Sequence, residues 1–327
     1  MSKLISRKVL ARHGIMGINQ RNRDFIGAYN DRRYYSLVDD KLQTKLLARE
    51  YGIATPRLRR VIRYQHEIRR IGKALADWQR FAVKPANGSG GKGILVITGR
   101  NGDKFVKGSG AELSLDDVKR HMSNVLAGLY SLAGTPDTII IEDVITCDRR
   151  LAAFSYQGVP DLRIIVFLGY PVMAMARLAT HASDGKANLH QGAVGVGLSI
   201  INGHCLNAVQ FSRQIHRHPD NGIVLNTLKV PDWDHLLVLA AGCYEMTNLG
   251  YLGCDMVVDD ELGAQLLELN ARPGLAIQIA NGHGLLPRLR HVQSLKKRHD
   301  SPEQRVAYMQ QWLEQSGIER QSFNKKV

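Results

Sequence analysis

Apolar residues at 42, 46 and 47, an acidic start at Asp39-Asp40 and a stop at Gly52 predict a helix over 39–52, which Ile53-Ala-Thr-Pro56 ends. Leu58, Val61, Ile62, Ile68, Ile71, Leu75 and Trp78 keep a helical period and predict a basic helix over 57–80. Phe81-Ala-Val-Lys84-Pro85 reads as a short strand and Ile94-Leu-Val-Ile97 as its return. The glycine-rich run Ala86-Asn-Gly-Ser-Gly-Gly-Lys-Gly93 between them makes the unit a hairpin. Ser114-Leu-Asp-Asp117 has the form of an N-cap opening a helix to about Ala133, and Thr138 to Ile145 is a buried strand. Leu162 to Leu168 and Pro171 to Ala176 form a hairpin around Gly169-Tyr170, and Asp184-Gly185 marks a loop before Asn188. A helix from Asp234 to about Leu249 precedes two strands carrying Asp255 and Glu268, and an amphipathic helix runs from Pro302 to Gly317. Helices and hairpins mixed in this way predict an α+β chain.

In Gln265-Leu-Leu-Glu268-Leu-Asn270, two oxygen-bearing side chains at alternate positions project from one strand face. An isolated E-x-N pair is better explained by the solvated face of an edge strand. Asp255 upstream supplies a third oxygen ligand, and Mg²⁺ is usually held by one or two carboxylates shared with substrate phosphates. The loop Asn87 to Gly93 can lay backbone N–H groups against phosphate because no Cβ obstructs the approach. It is neither a Walker loop, since Gly93 follows Lys92, nor a dinucleotide turn, since no helix follows. It reads instead as a flap over a triphosphate. Lys84, inside an apolar strand, either lies on a solvated face or requires an anionic partner.

Length bounds the chain at one large or two ordinary domains able to bury roughly three quarters of their unfolded surface. Its charge of +14 at pH 7 favours anionic partners, an acidic peptide or protein among them, and two basic stretches, 57–80 and 288–298, hold much of the excess. No nucleic-acid module is recognisable, and with aromatics at only 6% a base-stacking platform is disfavoured. No apolar run approaches the roughly 20 residues of a membrane span, and the first residues lack a secretory core, so the cytoplasm is the expected compartment. Cys147, Cys205, Cys243 and Cys254 are scattered and indicate neither disulfides nor zinc; His216-Arg-His218 reads as a polar loop.

Taken in order, D-K-x-x-T-K (40–45), V-K-P (83–85), the glycine flap, I-I-E-D-V-I (140–145), C-D (254–255) and L-E-L-N-A-R-P-G (267–274) resemble the ATP-grasp superfamily. Asp161-Leu-Arg163, Ala176-Arg177 and Asn188-Leu-His190-Gln-Gly192 are similar to strings of RimK-type α-L-glutamate ligases. The resemblance implies two α+β subdomains clasping ATP. Lys45 and Lys84 then meet the α- and β-phosphates, while Gly88, Ser89, Gly90, Gly91, Lys92 and Gly93 cover the β- and γ-phosphates. Adenine is held by backbone groups of Asp143 and Ile145, with Glu142 nearby. Asp255, Glu268 and Asn270 match metal positions, with Mg²⁺ the family norm and Mn²⁺ a substitute. Arg163 and Arg272 are the catalytic cations, and Arg177, Asn188 and His190 line the acceptor side, His190 as an anchor rather than a base. The implied reaction is ADP-forming amide ligation between a carboxylate and an amine, glutamate being one candidate, and homo-oligomers are common in the superfamily.

The expected organisation is a short N-terminal segment (1–38) in place of the usual α/β domain, an ATP-grasp domain over 39–290 with lobes of about 39–150 and 151–290, and a C-terminal helical extension (291–327). The short start, the basic stretch 57–80 and Arg272 at a position where glutamate ligases generally carry Ser leave other readings open. These are an ATP-binding scaffold acting with a partner, or an ATP-grasp kinase acting on a hydroxyl.

Overall fold

The computed structural model describes residues 7–88, 91–131 and 134–320. They divide into two compact units. The smaller takes Asp40–Lys45 and Thr55–Thr146; the larger takes the chain up to Asp39, Leu46–Ala54 and everything from Cys147 onward. The segment before Asp39 and the C-terminal helices therefore belong to the larger unit.

The smaller unit is a six-stranded antiparallel sheet of β1 (Leu58–Ile62), β2 (Phe81–Pro85), β3 (Leu95–Asn101), β4 (Lys104–Lys107), β5 (Glu112–Leu113) and β6 (Ile139–Glu142) in the order β1-β6-β2-β3-β4-β5. It also holds the first turns of α1 (Lys41–Glu50), with α2 (Gln65–Ala76) and α3 (Leu115–Leu126). Ile68, Ile71 and Leu75 of α2 and Val118, Met122 and Val125 of α3 form one core with Phe81, Val83, Ile97 and Ile141 of the sheet. The hairpin of β2 and β3 is present, with Phe81 opposite Ile97. Residues 58–62 are a strand and not the start of a helix, with Val61 opposite Ile140. An apolar set at 58, 61 and 62 fits either period over so short a run, and the open edge of β6 decides. The helix from Ser114 ends at Leu126, short of Ala133: Gly128 turns the chain at φ +83°, where a Cβ would lie 2.3 Å from Thr135 O. Ala133 itself lies outside the described residues.

The larger unit is a seven-stranded antiparallel sheet of β7 (Asp161–Phe167), β8 (Tyr170–Leu178), β9 (Val194–Leu198), β10 (Cys205–Gln210), β11 (Arg213–Gln214), β12 (Tyr251–Asp259) and β13 (Gly263–Asn270), ordered β11-β10-β9-β8-β7-β12-β13. The side chain of Cys254 meets α4 (Trp233–Thr247) through Ala240 O, so its neighbour Asp255 must project from the other face. On that other face α5 (Ala276–Asn281) lies so close to β9 that a Cβ on Gly197 would be 2.5 Å from Asn281 Cα. The helices α6 (Leu286–Gln293) and α7 (Pro302–Ser316) follow, α7 opened by a Ser301 capping box.

The N-terminal segment is stitched to this sheet. Asn30 donates Nδ2–H to Tyr251 O and Ala271 O at 2.8 and 3.0 Å and accepts the Tyr251 N–H at 2.8 Å. Met16 exchanges two backbone bonds with the Gln278 side chain, and Tyr29 packs edge-on to Phe167 at 4.9 Å.

Candidate active site

In the smaller unit, β2 and β6 run side by side with Lys84 opposite Ile140 and Ala82 opposite Glu142, and α1 brings Lys45 to the same place. Glu142 is 3% exposed, and its two oxygens meet the Nζ of Lys45, at 2.9 Å, and that of Lys84. Of the alternatives open for Lys84 from sequence, Glu142 supplies an anionic partner from within the protein. Burial alone would push the Glu142 carboxyl up, but the two ammonium groups outweigh it and hold the carboxyl below its ordinary range. Lys45 is lowered, chiefly by burial, with Glu142 only partly compensating and Lys84 adding repulsion. Two cations thus share one anion in a buried place, an excess of positive charge suited to a phosphate.

Lys41 donates its Nζ to Gly88 O, and Asp137 accepts the N–H and Nδ2–H of Asn87 at 3.1 and 2.9 Å, pinning the root of the glycine loop. Neither was singled out from sequence; Lys41 stands in the D-K string, and Asp137 carries no local signal. Gly91 and Gly93 take φ +75°, and a Cβ on Gly93 would lie 2.6 Å from Tyr130. Lys92 is exposed, and Ser89 and Gly90 lie outside the described residues. β6 ends at Glu142, so Asp143 and Ile145 are not strand residues. The Asp143 N–H already serves Arg57 O at 3.0 Å and its carboxylate pairs with Arg59, which removes that N–H from the set expected to hold adenine.

In the larger unit, registers across four strands set the second group. Asp255 pairs with Glu268 on one side and with Arg163 on the other, Gly253 pairs with Asn270, and Asp161 pairs with Arg177. Directly opposed residues share a face, so all six side chains project from the face covered farther along by α5. Arg163 grips Asp255 in bidentate fashion, Nε to Oδ1 at 2.7 Å and Nη2 to Oδ2 at 2.6 Å. Arg177 reaches the same Oδ2 at 2.8 Å and also pairs with Asp161. Burial would raise the Asp255 carboxyl, yet the two guanidinium groups hold it below its usual range. Asp161 is pushed up to about 7, first by burial and further by the charge of Asp255, with Arg177 opposing. Its Oδ1 is buried without a hydrogen-bond partner.

Other expected site residues lie elsewhere. Asn270 accepts the Arg272 N–H at 2.8 Å, while the Arg272 guanidinium sits over the Tyr35 ring at 5.2 Å and 3.8 Å from Asp39. Arg272, which sequence grouped with Arg163 as a catalytic cation, thus turns its guanidinium to Tyr35 and Asp39. Asn188 caps a short turn by accepting the His190 N–H, and His190 is exposed beside Gly274. Arg177, expected at the acceptor, is a full member of the Asp255 cluster.

As a metal site the donors suit a hard cation only in part. Three guanidinium contacts occupy Asp255, and among the described residues no group of three or more His, Cys, Asp or Glu side chains could hold an ion. Glu268, Asn270 and the remaining lone pair of Asp255 fit Mg²⁺ completed by phosphate oxygens, not a cage built by protein alone.

Residues 20–294 match the family of sugar-transfer associated ATP-grasp proteins. The chain belongs to that family. No curated protein matches this ATP-grasp chain in sequence. Among solved structures it is similar to D-alanyl-alanine synthetase A from Vibrio cholerae O1 biovar eltor, at 12% identity and a TM-score of 0.46 over 85% of this chain and 66% of that one. It is similar to D-alanine–D-alanine ligase from Bacillus anthracis at 13% and 0.42, over 89% and 69%. The ATP-grasp ligase PsnB with its minimal precursor gives 13% and 0.42, over 86% and 63%. The ATP-grasp chain thus spans just under two thirds of PsnB, and likenesses this distant say nothing of its reaction. Among its described residues no helix is long and apolar enough to cross a membrane.

Proposed function

We propose that this ATP-grasp chain is a carboxylate–amine ligase that uses ATP and Mg²⁺, activates a carboxylate as an acylphosphate and releases ADP. The observation that carries this reading is the single sheet face on which Arg163 and Arg177 converge on Asp255 beside Glu268 and Asn270. Such chemistry asks for charge compensation at the transferred phosphoryl group rather than for a protein nucleophile. Arg163 is assigned that charge, and Asp255 fixes its guanidinium in place. Glu268 and Asn270, with Asp255, hold Mg²⁺, which when bound neutralises phosphate oxygens. In the smaller unit Lys45 and Lys84 take the α- and β-phosphates and the loop Gly88–Gly93 covers the outer ones. The acceptor carboxylate attacks the γ-phosphorus and ADP leaves; an amine then displaces phosphate and gives up a proton as the amide forms. Glutamate as the amine rests on the strings at 161–163, 176–177 and 188–192 alone.

Purified protein with ATP, Mg²⁺ and a panel of amino acids and carboxylates is expected to release ADP and phosphate with a product mass equal to the amide. AMP and pyrophosphate would overturn the reading, a phosphate ester would replace it with a kinase, and ATP binding without turnover across the panel would leave a scaffold.

A further inference from the structure

The larger unit contains a cavity of 800 Å³ whose wall is mostly aliphatic: Val9, Leu10, Ile15, Ile18, Leu275 and Ile279. Its volume falls within the roughly 300–1,000 Å³ of small-molecule sites. Ile18 is 60% exposed and Ile279 48%, although they stand together around one concavity. Apolar side chains gathered at a hollow are more costly in water than the same residues scattered over a surface.

One charge interrupts this wall. Arg21 is 8% exposed, and the short helical stretch Arg21–Ile26 that follows Ile18–Gln20 holds it there. Its guanidinium donates to Asn22 Oδ1 from Nε and Nη2, at 3.0 and 2.8 Å, and to Pro273 O from Nη1 at 2.8 Å. These acceptors are neutral, and they use three of the five N–H donors of a guanidinium. A nearly buried cation held only by neutral groups favours an anionic ligand, and the planar fork matches a carboxylate. The bond to Pro273 O ties this charge to the Arg272-Pro273-Gly274 turn at the end of β13, and His190 stands at the rim. The cavity is therefore lined by His190, one of the residues expected on the acceptor side, and by Gly274, four residues beyond Asn270.

We propose that this cavity binds an organic carboxylate with an apolar body, the aliphatic wall taking the body and Arg21 the head group. That this ligand is the carboxylate activated by ATP rests on the ligase reading; its binding does not.

Decanoate, below its micellar concentration, serves as the probe in isothermal titration against the full chain, with decanol and decylamine as neutral and cationic counterparts. Saturable decanoate binding is expected, at least tenfold tighter than either counterpart. Ile18→Asp and Ile279→Asp, on exposed side chains that leave the core intact, are each expected to weaken it tenfold or more without moving the thermal midpoint. Arg21→Gln is expected to bring decanoate and decanol to within threefold of each other. Absence of saturable binding, equal binding of decanol, or indifference to Ile279→Asp would each overturn the proposal. So would a self-association that Ile279→Asp abolishes, since a second copy would then cover the wall. Decanoate binding with no ADP release from any carboxylate would sink the ligase reading and leave this site standing; turnover of hydrophilic carboxylates without decanoate binding would do the reverse.

Discussion

Replacing Glu142 by Gln removes one negative charge and almost no volume. In the native chain that charge is the one anion shared by Lys45 and Lys84, inside a cluster whose carboxylate is 3% exposed. Breaking a buried ion pair by removing one partner costs about 3–5 kcal/mol, because the remaining charge stays desolvated. Here two cations are left, so the lower figure is a floor. For a unit of this size about 3 kcal/mol lowers the melting midpoint by roughly 12 °C. The chain has two units, so the assay is differential scanning calorimetry, which reports their transitions separately. Phosphates supply the missing charge, so saturating ATP should raise the variant's midpoint more than the wild type's; one ligand at a hundred times its Kd contributes about 2.7 kcal/mol. The sign with pH is fixed by the lowered carboxyl of Glu142. Its stabilisation is present above the ordinary glutamate range, near 4.3, and is lost as pH falls through the lower folded value, so the two proteins should converge in acid. A loss below about 1 kcal/mol at pH 7, or an ATP shift no larger in the variant, would show that the lysines do not depend on Glu142 and would remove the argument that they await phosphate.

Arg163→Ala should lower kcat for ADP release by about 10²–10³-fold with a smaller change in the KM for ATP, measured by coupled assay, as for loss of one preorganised charge donor. Because Asp161 is raised to about 7 in the fold, its contribution to stability is full below its unfolded value near 4 and declines as pH rises toward 7. Asp161→Asn should flatten that stretch of the urea-midpoint profile; an unchanged slope would refute the assignment. Gly197→Ala places a methyl 2.5 Å from the Asn281 Cα and should cost about 1–3 kcal/mol in urea denaturation, since backbone cannot yield as a side chain does. Cys147 and Cys205 are pushed up to about 11, first by burial, so both should react with Ellman's reagent at pH 7.5 on the order of a hundredfold more slowly than an ordinary thiol.

Local signals in the chain read well where structure is decided locally. Ser114 and Asp117 form the capping box their spacing announces, and the hairpins of β2–β3 and β7–β8 follow from short apolar runs around turn residues. Residues 58–62 misled because helical and strand periods coincide over five positions and a distant partner, β6, breaks the tie. At the site, residue types were legible and their pairings were not. That Asp255 would be gripped by two arginines depends on registers joining β7, β8 and β12, and that Arg272 would turn to Tyr35 depends on a segment more than 230 residues away. Arg21 and Asp137 carried no signal at all, since their meaning lies in Pro273 and Asn87.

Asn30 behaves like a residue of a strand that is not there, bonding two carbonyls and one N–H at strand ends 221 and 241 positions distant. Its amide is a plug fitted to those three backbone groups, so the motif-bearing region is not a portable cassette. A fragment beginning at the Asp40-Lys41 string would leave two carbonyls and an amide of the sheet without this partner, in a place where water enters poorly. Grafts and chimaeras that respect motif boundaries would therefore aggregate or misfold, whereas a seam placed ahead of Met16 would carry the plug with the sheet it seals.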